Sequence, residues 1–324
     1  MNTKSLAQLF TLPLSFIVLT IFTCHAYSQP GRVDAAFQPA PSSLILPPTG
    51  PTKGQILQPD GKLIIWVGNL VVKGVAKGQI ARLNSDGSLD TSFTYCSCHM
   101  RSVRNVVLQP DGKLLVAGAD FESKAKVVRL NSDGSTDVVY NAQLPPTTSS
   151  SSYVWFVQAD GKSYIQVDET LGFGMRRIYR VNPDGTLDTG FTPIVLAYDR
   201  TNVADFLLQS GYLYVVSNFG NISSSSAFFQ RFDLNGAEDT AWQKPSVSGG
   251  PGNFFSYVND LEFQPDGSLL LSGRFTTVNG FQKSNLARIL PAGNVDLSFT
   301  PPSVLEGGFV ETLGNGKLLW SPSV

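Results

Sequence analysis

Few side chains in this 324-residue sequence have the types and spacing that chemistry requires. One group is contiguous: Cys96-Ser97-Cys98-His99-Met100. Two thiols, an imidazole and a thioether so close together form a soft-ligand set of the kind copper(I) favours. In an oxidising compartment the same two cysteines can close a local disulfide instead, or the segment can be an ordinary connection. His99 is the one histidine beyond the first 28 residues. That excludes multi-histidine metal centres and leaves a Ser-His-Asp mechanism a single possible base. A second group is dispersed. Asn105, Asp205 and Asp260 each stand four residues before a recurring glutamine, whereas Gly54 and Val154 occupy that position elsewhere. The local turns therefore do not demand a polar residue there. Oxygen ligands of this kind suit Ca²⁺ or another hard cation. Asn84-Ser85-Asp86-Gly87 looks like a calcium loop, but its glycine comes too early for an EF-hand. No glycine-rich loop leads from a strand into a helix, so a nucleotide site has no support.

The elements that must position these residues come from a repeated phrase. Leu108-Gln109-Pro110-Asp111-Gly112-Lys113-Leu114-Leu115 is followed by Arg129-Leu130-Asn131-Ser132-Asp133-Gly134-Ser135. The first half recurs around Gly61, Gly161, Gly211, Gly267 and Gly316, and the second around Gly31, Gly87, Gly185, Gly236 and Gly293. A period of roughly 50 residues signals an array, not independent domains. Pro-Asp-Gly presets a tight turn: Pro fixes φ, Asp bonds back to the backbone, and Gly accepts left-handed geometry. Each unit reads as four short antiparallel strands, with tight turns joining strands 1–2 and 3–4. The other connections, such as 68–79, 141–152 and 243–255, vary from unit to unit. Loops on a rigid scaffold carry function more often than strands, so the variable-loop end is the candidate binding face.

The repeat also separates scaffold from candidates. Arg82 and Asp90 are eight residues apart, as are Arg129 and Asp137, Arg180 and Asp188, Arg231 and Asp239, and Arg288 and Asp296. A three-residue turn puts each pair directly across a ladder, worth roughly 0.2–1 kcal/mol. An aromatic closes each unit (Phe37, Phe93, Tyr140, Phe191, Trp242, Phe299) and is expected to fill the space between sheets.

These units resemble the bacterial delta-60 repeat, a β-propeller family of largely unassigned function. The fifth carries the resemblance best: Gln264-Pro265-Asp266-Gly267, Gly273-Arg274-Phe275-Thr276-Thr277-Val278-Asn279-Gly280, Leu286-Ala287-Arg288-Ile289 and Asp296-Leu297-Ser298-Phe299. The resemblance implies an all-β fold, a β-propeller of about six four-stranded blades with the last incomplete. The units span 54–93, 103–140, 153–191, 203–242, 257–299 and, in part, 308–324. Gly31 to Phe37 offers an orphan fourth strand that could pair into the last blade.

Lys4, the apolar run Leu9 to Thr23 and Ala26-Tyr27-Ser28 read as a Sec-type signal peptide over residues 1–28, with the propeller at 29–324. The expected location is secreted or cell envelope. The formal charge of −1 becomes one unit more negative once Lys4 is removed. Such a surface has no electrostatic footprint for nucleic acid. No basic amphipathic segment suggests a membrane, and the mature chain is not expected to insert in one. The primary expectation is a non-enzymatic scaffold that binds extracellular protein or carbohydrate through its variable loops, without a cofactor. The alternative is a metal-dependent hydrolase with a divalent cation held by Asn105, Asp205 and Asp260 at the mouth of a propeller channel.

Overall fold

The computed structural model describes residues 44–45, 54–72, 75–145, 151–168, 176–196, 201–221, 224–250, 256–301, 308–313 and 316–322. The expected leader, the orphan strand before Phe37 and parts of the variable loops lie outside these residues. Among the described residues the protein is strand, with one short 3-10 turn at Ser97–His99 and no α-helix. No helix there is long and apolar enough to cross a membrane.

The strands form successive antiparallel meanders, each with its second strand in the middle. They are β1 (Gly54–Leu57), β2 (Leu63–Val72) and β3 (Val75–Leu83); β4 (Ser102–Leu108), β5 (Leu114–Ala119) and β6 (Ala125–Leu130); and β7 (Ser152–Val157), β8 (Ser163–Asp168) and β9 (Arg176–Val181). Then come β10 (Thr201–Gln209), β11 (Tyr212–Asn221) and β12 (Ser224–Asp233); β13 (Tyr257–Phe263), β14 (Leu269–Arg274) and β15 (Leu286–Ile289); and the pair β16 (Gly308–Thr312) and β17 (Leu318–Pro322). The chain divides into two compact units. The first runs to Leu171 and takes in Ile178–Asp188; the second takes Gly172–Arg177 and Thr189–Val324.

The turns behave as their residues dictate. Gln109 N–H donates to Lys113 O at 2.8 Å, Gly112 N–H donates to Gln109 O at 3.0 Å, and Asp111 Oδ1 accepts from Lys113 N–H at 3.1 Å. Gly112 sits at φ 84°, where a side chain is strained. At Gly134 space forbids one as well: a Cβ would stand 2.9 Å from Thr94 N, on the neighbouring loop.

The fourth strand of each unit is shorter than its sequence suggests. It is a single bridge, Leu83–Leu89, Leu130–Thr136, Val181–Leu187, Phe232–Glu238 or Ile289–Val295. The cause is the aspartate that follows. Asp90 Oδ1 accepts from Ser92 N–H at 2.9 Å and from Ser92 Oγ at 2.6 Å, which turns the chain away from the sheet at once. The same aspartate is the cross-strand partner of Arg82 at 2.8 Å and of Lys62, from the preceding tight turn, at 2.9 Å. Arg129, Lys113 and Asp137 repeat the triad at 2.8 and 2.7 Å. Each arginine also lies over the closing aromatic, Arg82 at 4.9 Å from Phe93 and Arg129 at 4.5 Å from Tyr140. Arg82 Nη1 and Arg129 Nη1 continue into the next sheet, donating to Ser132 O at 2.5 Å and Pro183 O at 2.6 Å. The repeated motif therefore joins sheets as well as strands.

Period-two alternation sets the core. In β5, Leu114 and Val116 pack toward the first sheet with Phe93, while Leu115 and Ala117 pack toward the third with Tyr140 and Ile165. Both faces of a middle strand are thus buried, and β5 is apolar throughout. Each such large side chain contributes about 1.5–3 kcal/mol. In the second unit Val258, Leu261, Leu271, Phe275 and Val278 form the corresponding layer.

Candidate acid–base site

The site begins with an irregularity of the first strand in four sheets. Pairing register shifts between Val103 and Asn105, Val154 and Phe156, Val203 and Asp205, and Val258 and Asp260. One extra residue, such as Arg104 or Asn259, is inserted each time. Bulges re-aim the side chains around them and are frequent beside active sites.

The re-aimed and neighbouring side chains reach the next sheet. Asn105 Nδ2 donates to Val154 O at 2.6 Å, and Val154 N–H donates to Asn105 Oδ1 at 3.1 Å. Both ends of the amide are engaged, and the side chain is buried at 6% exposure. Asn218 grips Val258 in the same two-handed way at 2.6 and 2.9 Å. Gln79 donates to Arg101 O at 2.8 Å and accepts from Val103 N–H. In each case an amide holds the residue just before a bulge.

Aspartates extend the pattern in the second unit. Leu261 N–H donates to Asp205 Oδ2 at 3.1 Å, and Phe206 N–H donates to Asp205 Oδ1 at 2.7 Å. Val310 N–H donates to Asp260 Oδ2 at 2.8 Å. Thr312 N–H donates to Glu262 Oε1 at 2.7 Å, one pleat further along β13. The Asp205 carboxyl reaches across to Leu261 N–H, which brings it beside Asp260, and the two acids influence each other. Burial raises both, to about 6 for Asp205 and about 7 for Asp260, and the neighbouring Asp205 charge raises Asp260 further. Burial raises Glu262 and Glu311 as well.

Of the three dispersed residues expected to act together, Asp205 and Asp260 meet. Asn105 lies in the first unit with its amide closed on Val154. The structure does not assemble the contiguous set into a ligand sphere. Cys96 and Cys98 are joined in a disulfide, His99 is exposed, and Met100 is buried against Val103 and Leu114. Among the described residues no three or more His, Cys, Asp or Glu side chains are grouped to hold a metal ion. Sequence reasoning missed Gln79, Asn218 and Glu262. Their signal is an amide or a carboxylate inside a strand, directly followed by an apolar residue: Ile80, Phe219 or Phe263.

A family model described as "Domain of unknown function (DUF5122) beta-propeller" matches residues 58–93, 109–138, 158–191 and 264–299. No curated protein matches the sequence. Solved structures similar to the chain include an endo-1,4-beta-xylanase from Bacteroides thetaiotaomicron VPI-5482, at 10% identity over 83% of this chain and 93% of the other, with a TM-score of 0.42. A GH43 beta-1,3-galactosidase with galactodeoxynojirimycin aligns at 11% identity over 82% and 92%, TM-score 0.40. An alpha-L-arabinofuranosidase from Clostridium thermocellum ATCC 27405 aligns at 11% over 75% and 91%, TM-score 0.38. At these values the likeness transfers no activity. The expectation of a non-enzymatic scaffold, and of no enzyme, is nevertheless corrected. The three solved structures are described as glycoside hydrolases, which is said of those proteins and not of this chain. That expectation rests on the want of any grouped acid and base, and Asp205 and Asp260 are two grouped acids.

Proposed function

We propose that this chain, built from the repeats of the DUF5122 β-propeller family, is a secreted carbohydrate-active hydrolase whose acid–base group is the Asp205–Asp260 pair. One observation carries the reading: Asp205 reaches from its own sheet to Leu261 N–H, beside Asp260, and burial raises both carboxyls above the ordinary carboxylate range. A carboxyl that keeps its proton near neutral pH is a general acid suited to a glycosidic oxygen. Glu262 supports the pairing that such chemistry needs. It lies on the same face of β13, two residues beyond Asp260, so the strand rise separates their attachment points by about 6.6 Å. In an inverting hydrolase the two carboxyl groups stand roughly 6.5–9.5 Å apart with the attacking water between them, and two side chains on one face of a strand can take up such a separation. Asp260 would then donate to the leaving oxygen, Asp205 would hold the proton in reserve, and Glu262 would draw a proton from the water.

The test is hydrolysis of 1,4-β-xylan, α-L-arabinofuranosides and 1,3-β-galactosides by the purified mature chain, beside Asp260→Asn and Glu262→Gln. Turnover by wild type with inversion at the anomeric carbon, lost in both variants, is expected. No turnover on any of these overturns the reading. The divalent cation is a second reading, favoured by the meeting of Asp205 and Asp260 without a cationic side chain among their hydrogen-bond partners, the remaining ligands coming from water or substrate. Ca²⁺ would hold these oxygens ionised. Activity abolished by a chelator and restored by Ca²⁺ selects that reading; indifference to both excludes it. Sequencing the N-terminus of the exported protein checks the leader, with a start near Gln29 expected.

A further inference from the structure

The cysteine turn is left outside the carboxylate site, and its surroundings fit chemistry of its own. Cys96 and Cys98 are joined across a single residue and both are exposed. Structural disulfides of secreted proteins resist reduction, whereas exposed ones belong to the labile, regulatory or catalytic class. The turn is held rigidly from beneath. Met100 is 1% exposed in the core of the first unit, and its N–H donates to Ser97 O at 3.4 Å. Gly78 on β3, at φ 77°, faces the turn: a Cβ there would lie in ordinary contact, 3.4 Å from both Ser97 Cβ and the Tyr95 ring. The two sulfurs are not equivalent. Cys98 N–H donates to Cys96 Sγ at 3.2 Å, a hydrogen bond that stabilises negative charge on Cys96 and makes it the better leaving sulfur. Beside the turn lies a cavity of about 380 Å³, lined by Arg82, Asp90, Phe93, Tyr95, Cys96 and Ser97 among others. Its wall includes Tyr95, whose hydroxyl is buried without a hydrogen-bond partner. That volume takes a side chain or a short bend of peptide.

We propose that the Cys96–Cys98 turn is a thiol–disulfide exchange site that takes a cysteine-bearing peptide in the adjoining cavity. A peptide thiolate attacks Cys98 Sγ, a peptide–Cys98 disulfide forms, the Cys96–Cys98 bond breaks, and the electron pair leaves on Cys96 Sγ. A second thiolate of the same peptide attacks the peptide sulfur of that mixed disulfide and displaces Cys98 as thiolate. The peptide is oxidised by two electrons to a disulfide. Cys96 and Cys98 are reduced to a dithiol and take up the two protons the peptide thiols released. A small-molecule disulfide such as oxidised glutathione reverses the cycle by the same two displacements.

The experiment uses the full mature chain in mixtures of reduced and oxidised glutathione, quenched with an alkylating agent and read by mass. Cys96 and Cys98 are expected to follow the glutathione ratio while the native fold persists, as judged by circular dichroism. Cys96→Ser is expected to trap glutathione on Cys98, seen as an added mass. Wild type is expected to speed reactivation of reduced, unfolded ribonuclease roughly tenfold over glutathione alone, and Cys98→Ser is expected to lose this. A native chain that stays oxidised in excess reduced glutathione overturns the proposal without recourse to any variant, since that is how a structural disulfide behaves. Undiminished ribonuclease reactivation by Cys98→Ser overturns it as well.

Discussion

Asn105 in the first unit and Asp260 in the second stand at the same place after a bulge and do the same mechanical work. Each reaches from the first strand of one sheet to the backbone of the next. They differ in what is left over. The amide offers a donor and an acceptor, and Val154 takes both. A carboxylate can only accept. Asp260 satisfies Val310 N–H, and burial with Asp205 alongside favours its neutral form. An amide would complete the latch more simply, as Asn218 does one strand away. What the aspartates add is a titratable proton at a partly buried position. A third set of carboxylates makes the contrast sharper. Against the opposing effect of burial, Ser92, Lys62 and Arg82 hold Asp90 far below the usual carboxylate range. Lys113 foremost, with Arg129, lowers Asp137, and Ser298 with Arg288 brings Asp296 down to about 2. The same side chain is thus a fixed charge at the repeated turns and a proton carrier at the bulges.

The comparison breaks first at Asp260. Asp260→Asn keeps a carbonyl for Val310 N–H and removes the proton, so glycoside turnover should fall at least about 100-fold with the thermal midpoint preserved. Steady-state kinetics beside a melting curve decide it, and unchanged kcat would make the aspartate a latch alone. The fixed charges should answer in stability instead. Asp90→Ala leaves buried Arg82 facing no carboxylate and should lower unfolding free energy by about 2–3 kcal/mol, measured in urea, with little change in turnover on any glycoside cleaved by wild type.

The two sets should also respond to pH with opposite sign. Asp205 and Asp260 bind protons more tightly folded than unfolded. Their contribution to stability is present below the ordinary carboxylate pKa and declines as pH rises toward neutrality. Asp90, Asp137 and Asp296 are lowered, so theirs is present above about pH 4 and is lost as pH falls through their folded values. Thermal midpoints between pH 5 and pH 8 should fall slightly in wild type. An Asp205→Asn, Asp260→Asn double variant should flatten that slope, and a slope that survives would place its origin elsewhere. The smallest effect is expected where the first unit is made like the second. Asn105→Asp removes the donor to Val154 O and should cost about 1–2 kcal/mol at pH 8, less at pH 5, where the new carboxyl can keep a proton.

The Arg–Asp pairs were legible because a three-residue turn fixes which residues face each other, and both partners lie within eight residues. The shortened fourth strand was not. It depends on Asp90 capturing Ser92, and side-chain capture competes with strand pairing in a way that alternation does not reveal. Gln79 and Asn218 escaped notice for another reason. Their partners are 24 and 40 residues away on the next sheet. Asp205 and Asp260 were singled out by residue type, yet as cation ligands with Asn105.

The sequence by itself determined the repeat, its turns, the cross-strand charges and the faces of each strand, because these follow from contacts a few residues apart and from a period of two. Only the tertiary structure decided which carboxylates meet and which protons they keep. A pKa is set by burial and by charges brought near from other sheets, and neither is written in the spacing along one strand.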